Sequence, residues 1–358
     1  MKKNNKKGNS LSRRNFLGSS AALAAASLLP LNYACKNEAP AEKESTISSR
    51  FGGVQIGVIT YSWRDMPGGL ENIIKYCRET GINSIELMSG DLETFLGAPE
   101  NPMMRMFRRP PAPQPVAEGE GEQAPPPPRR RGRPQLTPEQ QAEIEKYNND
   151  VKKFRLSVPM AKVREARKLF DDAGIDIHIV KFSPSRWPDE EIDYAFKVAK
   201  EMGAKGVSEE VGEEAVKKLG PIAEKHGMYA VFHNHMQFAE EGFSYDPFLE
   251  VSPAVMFNFD AGHFFGSTGI HPNEIIEKYH DRIFSIHLKD KTGPDTKPAN
   301  TNQVWGQGEM PIADVLLLIK KKKWPIYCDI ELEYQVKPWS DSVKEVKTCV
   351  NYARQILI

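Results

Sequence analysis

Cysteine is scarce: four residues in 358, with no pair in C-x-x-C spacing. That count excludes a disulfide framework and gives no sign of a structural zinc site. Neither sign of charge is in excess. The 48 Lys and Arg balance 48 Asp and Glu, where a dedicated nucleic-acid binder would carry a basic surplus. The apolar run Ala21–Leu29 falls well short of the roughly 20 residues a membrane span requires. No G-x-G-x-x-G follows the first strand-like run, so a doubly wound dinucleotide fold lacks its fingerprint.

Proline, by contrast, is plentiful and unevenly placed. Residues 99–138 hold 12 of the 27, including Pro125 to Pro128, beside the cluster Arg129, Arg130, Arg131 and Arg133. Such a stretch cannot bury enough apolar surface to offset its ordering entropy, and it reads as a disordered surface insert. A proline-rich ligand for another protein is the alternative. The N-terminus is equally distinct. Lys2, Lys3, Lys6 and Lys7 precede Ser12-Arg13-Arg14-Asn15-Phe16-Leu17 and then the alanine-rich run, with no acid in the first 34 residues. This order is that of a twin-arginine export leader rather than of a basic tail. Cys35 follows Leu31-Asn32-Tyr33-Ala34 as in a lipoprotein cleavage site, with Asn32 where an aliphatic residue is usual. The expected organisation is a leader over 1–34, a polar tether over 35–50 and one domain over 51–358, interrupted by the insert at about 95–150. The expected location is the periplasm, with membrane attachment only through a lipid on Cys35. Cys77, Cys328 and Cys349 are expected as buried thiols.

About 250–260 residues remain, the typical size of a (β/α)₈ barrel. Short β-branched or apolar runs lie at Val54–Tyr61, Ser84–Met88, Asp176–Phe182, Lys205–Glu209, Met228–His233, Val255–Asp260, Ile283–Leu288 and Pro325–Glu331. Segments of helical period separate them: Leu70–Glu79, Met160–Ala173, Asp189–Met202, Glu213–His226, Pro272–Tyr279, Pro311–Lys322 and Ser340–Leu357, with only Tyr245–Val251 before the sixth strand. Eight strands in βα rhythm imply an α/β fold whose parallel sheet closes as a barrel.

Barrel enzymes act at the C-terminal face, so residues at strand ends carry the information. These are Glu86, Lys181, Glu209, His233 with His235, Asp260 with His263, His287 with Lys289, and Glu331 with Glu333. His233, Asp260, His287 and Glu331 end four consecutive strands, and two imidazoles with two carboxylates suit one divalent ion: Mn, Zn, Mg, Co or Fe. Singly, each is as well explained as a surface or hydrogen-bonded polar group. Lys181 and Lys289 are candidates to stabilise a developing oxyanion, and Trp63, Phe264 and Trp305 to pack on a sugar face. Salt-bridged lysines and core aromatics are the plainer readings.

The blocks Asn258-Phe-Asp260-Ala-Gly262-His263, Ile286-His287-Leu-Lys289-Asp290 and Gly306-Gln-Gly308-Glu309 resemble the signatures of the xylose-isomerase-like TIM barrels, the sugar phosphate isomerase/epimerase family. Gly57-Val-Ile-Thr-Tyr61-Ser62-Trp63 and Ile85-Glu86-Leu87 fit as well. The resemblance implies Asp260 and His287 as metal ligands, His263 as a substrate contact, and Glu331 as the last ligand, with Glu333 competing. Where many members read Glu-Asn-His at strand five, this chain reads His233-Asn234-His235. A symmetric two-glutamate proton exchange therefore does not carry over, and Glu209 or His235 is left to act as base beside Glu331. The expected activity is a metal-dependent sugar isomerase or epimerase working through an enediolate on a free sugar, keto-sugar or glycoside, with no nucleic-acid partner. Elimination by a 3-keto-glycoside lyase is the alternative, and a non-catalytic sugar-binding lipoprotein a second.

Overall fold

The computed structural model describes residues 47–103 and 136–358. The leader, Cys35, most of the tether and the proline-rich core of the insert lie outside the described residues. Eight parallel strands close on themselves: β2 (Val54–Ile59), β3 (Ser84–Met88), β4 (Asp176–Lys181), β5 (Gly206–Glu210), β6 (Tyr229–His233), β7 (Val255–Asp260), β8 (Ile283–Leu288) and β11 (Tyr327–Ile330). β2 pairs with both β3 and β11, which completes the ring. Short β1 (Arg50–Phe51) adds an antiparallel turn before β2, while β9 (Asp290–Lys291) and β10 (Asn302–Gln303) form a hairpin after β8. The expected strands are all present to within a few residues.

The helices are α1 (Leu70–Thr80), α2 (Ser89–Leu96), α3 (Pro138–Ser157), α4 (Met160–Asp172), α5 (Asp189–Glu201), α6 (Glu213–His226), α7 (Asp246–Leu249), α8 (Ala261–Thr268), α9 (Asn273–Tyr279), α10 (Ile312–Lys322) and α11 (Ser342–Leu357). Their apolar stripes, such as Ile192, Ala195, Phe196 and Ala199 of α5, are buried against the outward faces of the strands. Two stretches are more ordered than the sequence suggested. Ser49 belongs to the fold rather than to a tether: it is fully buried and its hydroxyl donates to the Ile56 carbonyl at 2.6 Å. α3 occupies residues assigned to the insert, because Thr137 and Gln140 form a capping box ahead of Pro138. Only Val151 of α3 is buried, so little apolar periodicity marks it.

The barrel interior is polar toward its C-terminal mouth. Gly57 lies on the inner face of β2, where a Cβ would come within 3.0 Å of the Ser84 carbonyl and would collide with the Asp329 carboxylate. That carboxylate bonds the His178 ring at 2.8 Å, and the ring stacks on Tyr327 with centroids 4.2 Å apart. His178 is thus a satisfied core histidine, deeper than the residues at the mouth.

Candidate active site

Strand alternation sends every second side chain inward. On β5 the buried Val207 faces the helices with Glu209, while Ser208 and Glu210 face the barrel axis. The Ser208 hydroxyl donates to the inner carboxylate of Glu86 at 2.6 Å. Glu210 donates nothing and receives much: Lys181 at 2.8 Å, His233 Nδ1 at 3.1 Å and His235 Nδ1 at 3.0 Å. Glu209 instead accepts the backbone N–H groups of Ser185 and Glu210 at 2.7 and 2.9 Å. Of the two residues expected as base, Glu209 is turned from the barrel axis, and His235 stands beside Glu210 at the mouth. The signal was present, since Val207 fixes which face residue 209 shares.

His233, Asp260, His287 and Glu331 converge, each offering one ligand atom, all within 4.8 Å of one another. Each imidazole is bracketed by two carboxylates. His287 Nε2 meets Glu86 and Nδ1 meets Glu331, both at 2.8 Å. His233 Nδ1 meets Glu210 at 3.1 Å, and Nε2 meets Asp260 at 3.2 Å. A neutral ring can donate from one nitrogen only, so the other must face its carboxylate across a proton or a cation. The outer pairs resemble carboxylate–histidine–metal arrangements, in which the carboxylate fixes the tautomer and leaves the other nitrogen free to ligate. Glu86 would fix His287 with Nδ1 free, and Glu210 would fix His233 with Nε2 free. The donor set N₂O₂ fits a divalent ion.

Electrostatics follow this geometry. Burial works against charge on both rings, yet the flanking carboxylates prevail: His287 titrates well above the usual imidazole range, and His233 is also raised. Burial likewise opposes the carboxylate of Glu86, but the His287 charge and hydrogen bond, Lys181 and Ser208 hold it at about 2. Asp260 and Glu331 are held low against burial by Lys289 and the imidazoles. Asp260 divides its oxygens. Oδ1 accepts the His263 backbone N–H at 2.7 Å and caps α8, leaving Oδ2 toward His233 and Lys289. Asn234 supports this strand end by accepting the Asp260 N–H at 2.9 Å and the Tyr245 hydroxyl at 2.7 Å.

The lysines differ from expectation. Lys289 reaches Asp260 at 2.8 Å, Glu331 and Glu333 at 2.7 Å each, and His263 Nε2 at 3.1 Å. An ammonium has three hydrogens, so none is left for a substrate oxygen. Lys289 positions carboxylates, and Lys181 does the same for Glu210. Glu333 reaches the cluster only through Lys289 and His263. His263 stands at the mouth with its ring 5.0 Å from that of His235. Burial, with the Lys289 and Lys291 charges, outweighs Asp260 and holds His263 at about 4, so its ring is neutral. Trp63 packs against Tyr76, Trp305 against Tyr352, and Phe264 against Phe238 and Phe259. All three aromatic rings are buried in the hydrophobic core. Glu210, Asn258 and Lys291 are also at the mouth, outside the set expected from the sequence. Asn258, of the Asn-Phe-Asp block, donates to Glu86 at 2.8 Å.

Residues 142–349 match the profile of the xylose isomerase-like TIM barrel family. The chain belongs to that family. Residues 10–30 match the twin-arginine translocation pathway signal, so the chain carries an export signal of that route. Among curated family relatives, an inosose dehydratase of Clostridium botulinum is 42% identical over 79 residues, covering 20% of this chain and 25% of that protein. One of Clostridium perfringens is 36% identical over 83 residues, covering 22% and 27%. The chain thus spans about a quarter of the length of these relatives. Solved structures agree over nearly the whole length. A sugar phosphate isomerase/epimerase of Parabacteroides distasonis superposes with a TM-score of 0.52 at 18% identity, covering 86% of this chain and 96% of that one. The probable 3-DHS dehydratase AsbF of Bacillus anthracis gives 0.52 at 13%, covering 83% and 98%. These likenesses establish the fold.

Proposed function

We propose that the exported barrel is a metal-dependent enzyme that removes the proton beside the carbonyl of a keto-carbohydrate and completes the reaction by β-elimination. The observation that carries this reading is a single acid/base pair at the mouth. His235 is half-exposed and bonds Glu210 through Nδ1 at 3.0 Å, which leaves Nε2 toward solvent. His233, at the position where relatives of this fold place a glutamate, has both nitrogens engaged and offers no opposed second base.

His233 Nε2, Asp260 Oδ2, His287 Nδ1 and Glu331 Oε2 would hold the cation. A divalent ion bound there would polarise the substrate carbonyl and stabilise the charge that develops on it. His235 takes the proton, and the Glu210 carboxylate stabilises the resulting imidazolium. Lys289 keeps Asp260 and Glu331 in place, and His263 lines the approach as a neutral ring. Epimerisation or isomerisation begins with the same abstraction but must return a proton to carbon. His263, neutral far below physiological pH, is poorly suited to supply it.

Two further points support elimination. The curated relatives that match by sequence are dehydratases, which eliminate water. Export also places the chain where free sugars and glycosides outnumber sugar phosphates. The substrates that fit are 3-keto-glycosides and keto-cyclitols such as inosose. We extend the export signal to a periplasmic location with lipid on Cys35.

The test is metal analysis of the purified protein, together with incubation of 3-keto-glucosides and inosose in deuterated water. Metal in near-stoichiometric amount with release of aglycone or water is the expected result. Exchange at the α-carbon without bond cleavage would favour the isomerase or epimerase. Sugar binding with neither metal nor exchange would favour a non-catalytic binding protein.

A further inference from the structure

Glu210, which pairs with His235 Nδ1 at 3.0 Å, also lines a cavity of about 950 Å³ between the loops that follow β4 and β5. Most of the other walls are polar, among them Ser183, Ser185, Arg186 and Glu214. Arg186 is exposed and, among the described residues, has no ion-pair partner. The carboxylates of Glu209, Glu210, Glu213 and Glu214 line the cavity against the cations of Arg186 and Lys218 alone. An anionic ligand is therefore disfavoured there.

A second cavity, of about 320 Å³, lies against α6 and is walled by Phe243, Pro247, Phe248 and Val251. The two phenyl rings have their centroids 5.9 Å apart. Both phenylalanines are only partly buried by the core they pack on, so the fold leaves apolar surface uncovered here. Glu213, the first residue of α6, lines both cavities and joins them. It follows Glu210 by three residues, and a chain of that length puts the junction within about 10 Å of the acid/base pair.

We infer that the joined cavities are a leaving-group subsite, and that the substrates are 3-keto-glycosides of neutral alcohols carrying more than one aromatic ring. The inference rests on the elimination reading above. In a 3-keto-glycoside the carbon that gives up its proton is bonded to the anomeric carbon, which carries the leaving group. With His235 at the first of these carbons, the leaving group stands one bond away and occupies the space beside the His235–Glu210 pair. Glu210 opens that space into the polar cavity, where Arg186 and Glu214 can meet oxygens near the glycosidic bond. A distal ring then reaches the apolar walls of Phe243 and Phe248, and its burial favours binding. Water, the leaving group of an inosose, would need neither cavity.

The test measures kcat/KM of the metal-loaded protein on the 3-keto-glucosides of methanol and of 4-phenylbenzyl alcohol, whose leaving oxygens are of similar basicity, and on a 3-keto-disaccharide. The two-ring glucoside should be preferred over the methyl one by about 10-fold or more, the scale of burying one aromatic ring. Phe248→Ala, which removes a wall, and Ser244→Trp, which fills the pocket, should each abolish that preference. Cleavage of the methyl glucoside, which does not reach the pocket, should stay within a few fold. If Phe248→Ala lost both activities through misfolding, Ser244→Trp would decide. A preference that survives Ser244→Trp, equal rates on the methyl and two-ring glucosides, or a disaccharide cleaved best of the three would overturn the subsite. A chain inert to all three would overturn the elimination reading itself, and the subsite with it.

Discussion

Neighbouring glutamates on β5 offer a sharp test, because they differ by one residue and by the face they occupy. Glu210→Gln removes the negative charge that accepts from Lys181, His233 and His235, and an amide oxygen can replace only part of that. Loss of a carboxylate behind a ligating histidine costs about 10- to 100-fold in metal affinity. At about 1.4 kcal/mol per decade, that is about 1.4–2.8 kcal/mol. Turnover should fall by at least about 100-fold, because His235 also loses its orienting partner. Glu209→Gln keeps one acceptor oxygen for the Ser185 and Glu210 N–H groups and should cost about 1–2 kcal/mol of stability, with no defect in metal binding. For a barrel of this size that is a fall of about 3 °C in Tm. Calorimetric titration with Mn²⁺ or Zn²⁺ and thermal melts of the two variants give the answer together. If Glu209→Gln abolished metal binding while Glu210→Gln spared it, the assignment of faces on β5 would be wrong.

Three other perturbations probe the same frame. The Glu86 carboxyl sits at about 2 rather than at 4.5, so the stability it adds, about 3 kcal/mol, is complete above about pH 4.5 and is lost as pH falls toward 2. Denaturant titration of Glu86→Gln should show that deficit at pH 7 and a shrinking one in acid; a deficit constant with pH would refute it. His233 and His287, both raised by their carboxylates, should release protons when a divalent ion binds near neutral pH, so affinity should climb with pH. Titrations in buffers of different ionisation enthalpy count those protons, and a count of zero would contradict the bracketed geometry. Asp290 accepts four backbone N–H groups, from Lys291, Gly306, Gly308 and Met310, at 2.8–3.2 Å. Asp290→Ala should therefore cost about 3 kcal/mol or more and expose the 304–310 segment to hydrogen exchange; unchanged protection there would count against it.

How much was legible depended on what each element buries. Strands such as Val255–Asp260 announce themselves because both faces are covered and apolar residues crowd into a short run. Helix α5 is equally plain, with an acidic first turn and a clear stripe. α3 has almost no buried face, and its one strong signal, a Thr-x-x-Gln box with proline at the first position, was masked by the proline-rich composition just before it. At the site, strand ends pointed to the right loops but not to the right rotamers. For Lys289 the sequence leaves an oxyanion partner and a salt-bridged side chain both open, because Asp260 and the Glu331–Glu333 pair lie far from it in the chain and meet it only in the fold. The aromatics Trp63 and Trp305 lie near the expected mouth in sequence, yet their rings are large enough to be worth more in the core.

The charge distribution joins these pieces. The first 34 residues hold six Lys and Arg and no acid, and 99–138 hold seven Arg against four Glu, so the rest of the chain carries nine more acids than bases. At the mouth the imbalance becomes local: Glu86, Glu210, Asp260, Glu331 and Glu333 face Lys181, Lys289 and Lys291. Five negative groups against three positive ones leave two charges to be met in a low-dielectric site, where leaving them unmet is costly. Protons on His233 and His287 meet them, and so does one divalent ion bound to neutral rings. A glutamate at 233 would add a sixth carboxylate that neither arrangement could balance. The histidine at strand five is thus more than a substituted ligand. On the proposed metal reading it would set the charge at which a cation and three lysines can share one barrel mouth, by giving up the second carboxylate that a symmetric proton exchange would use.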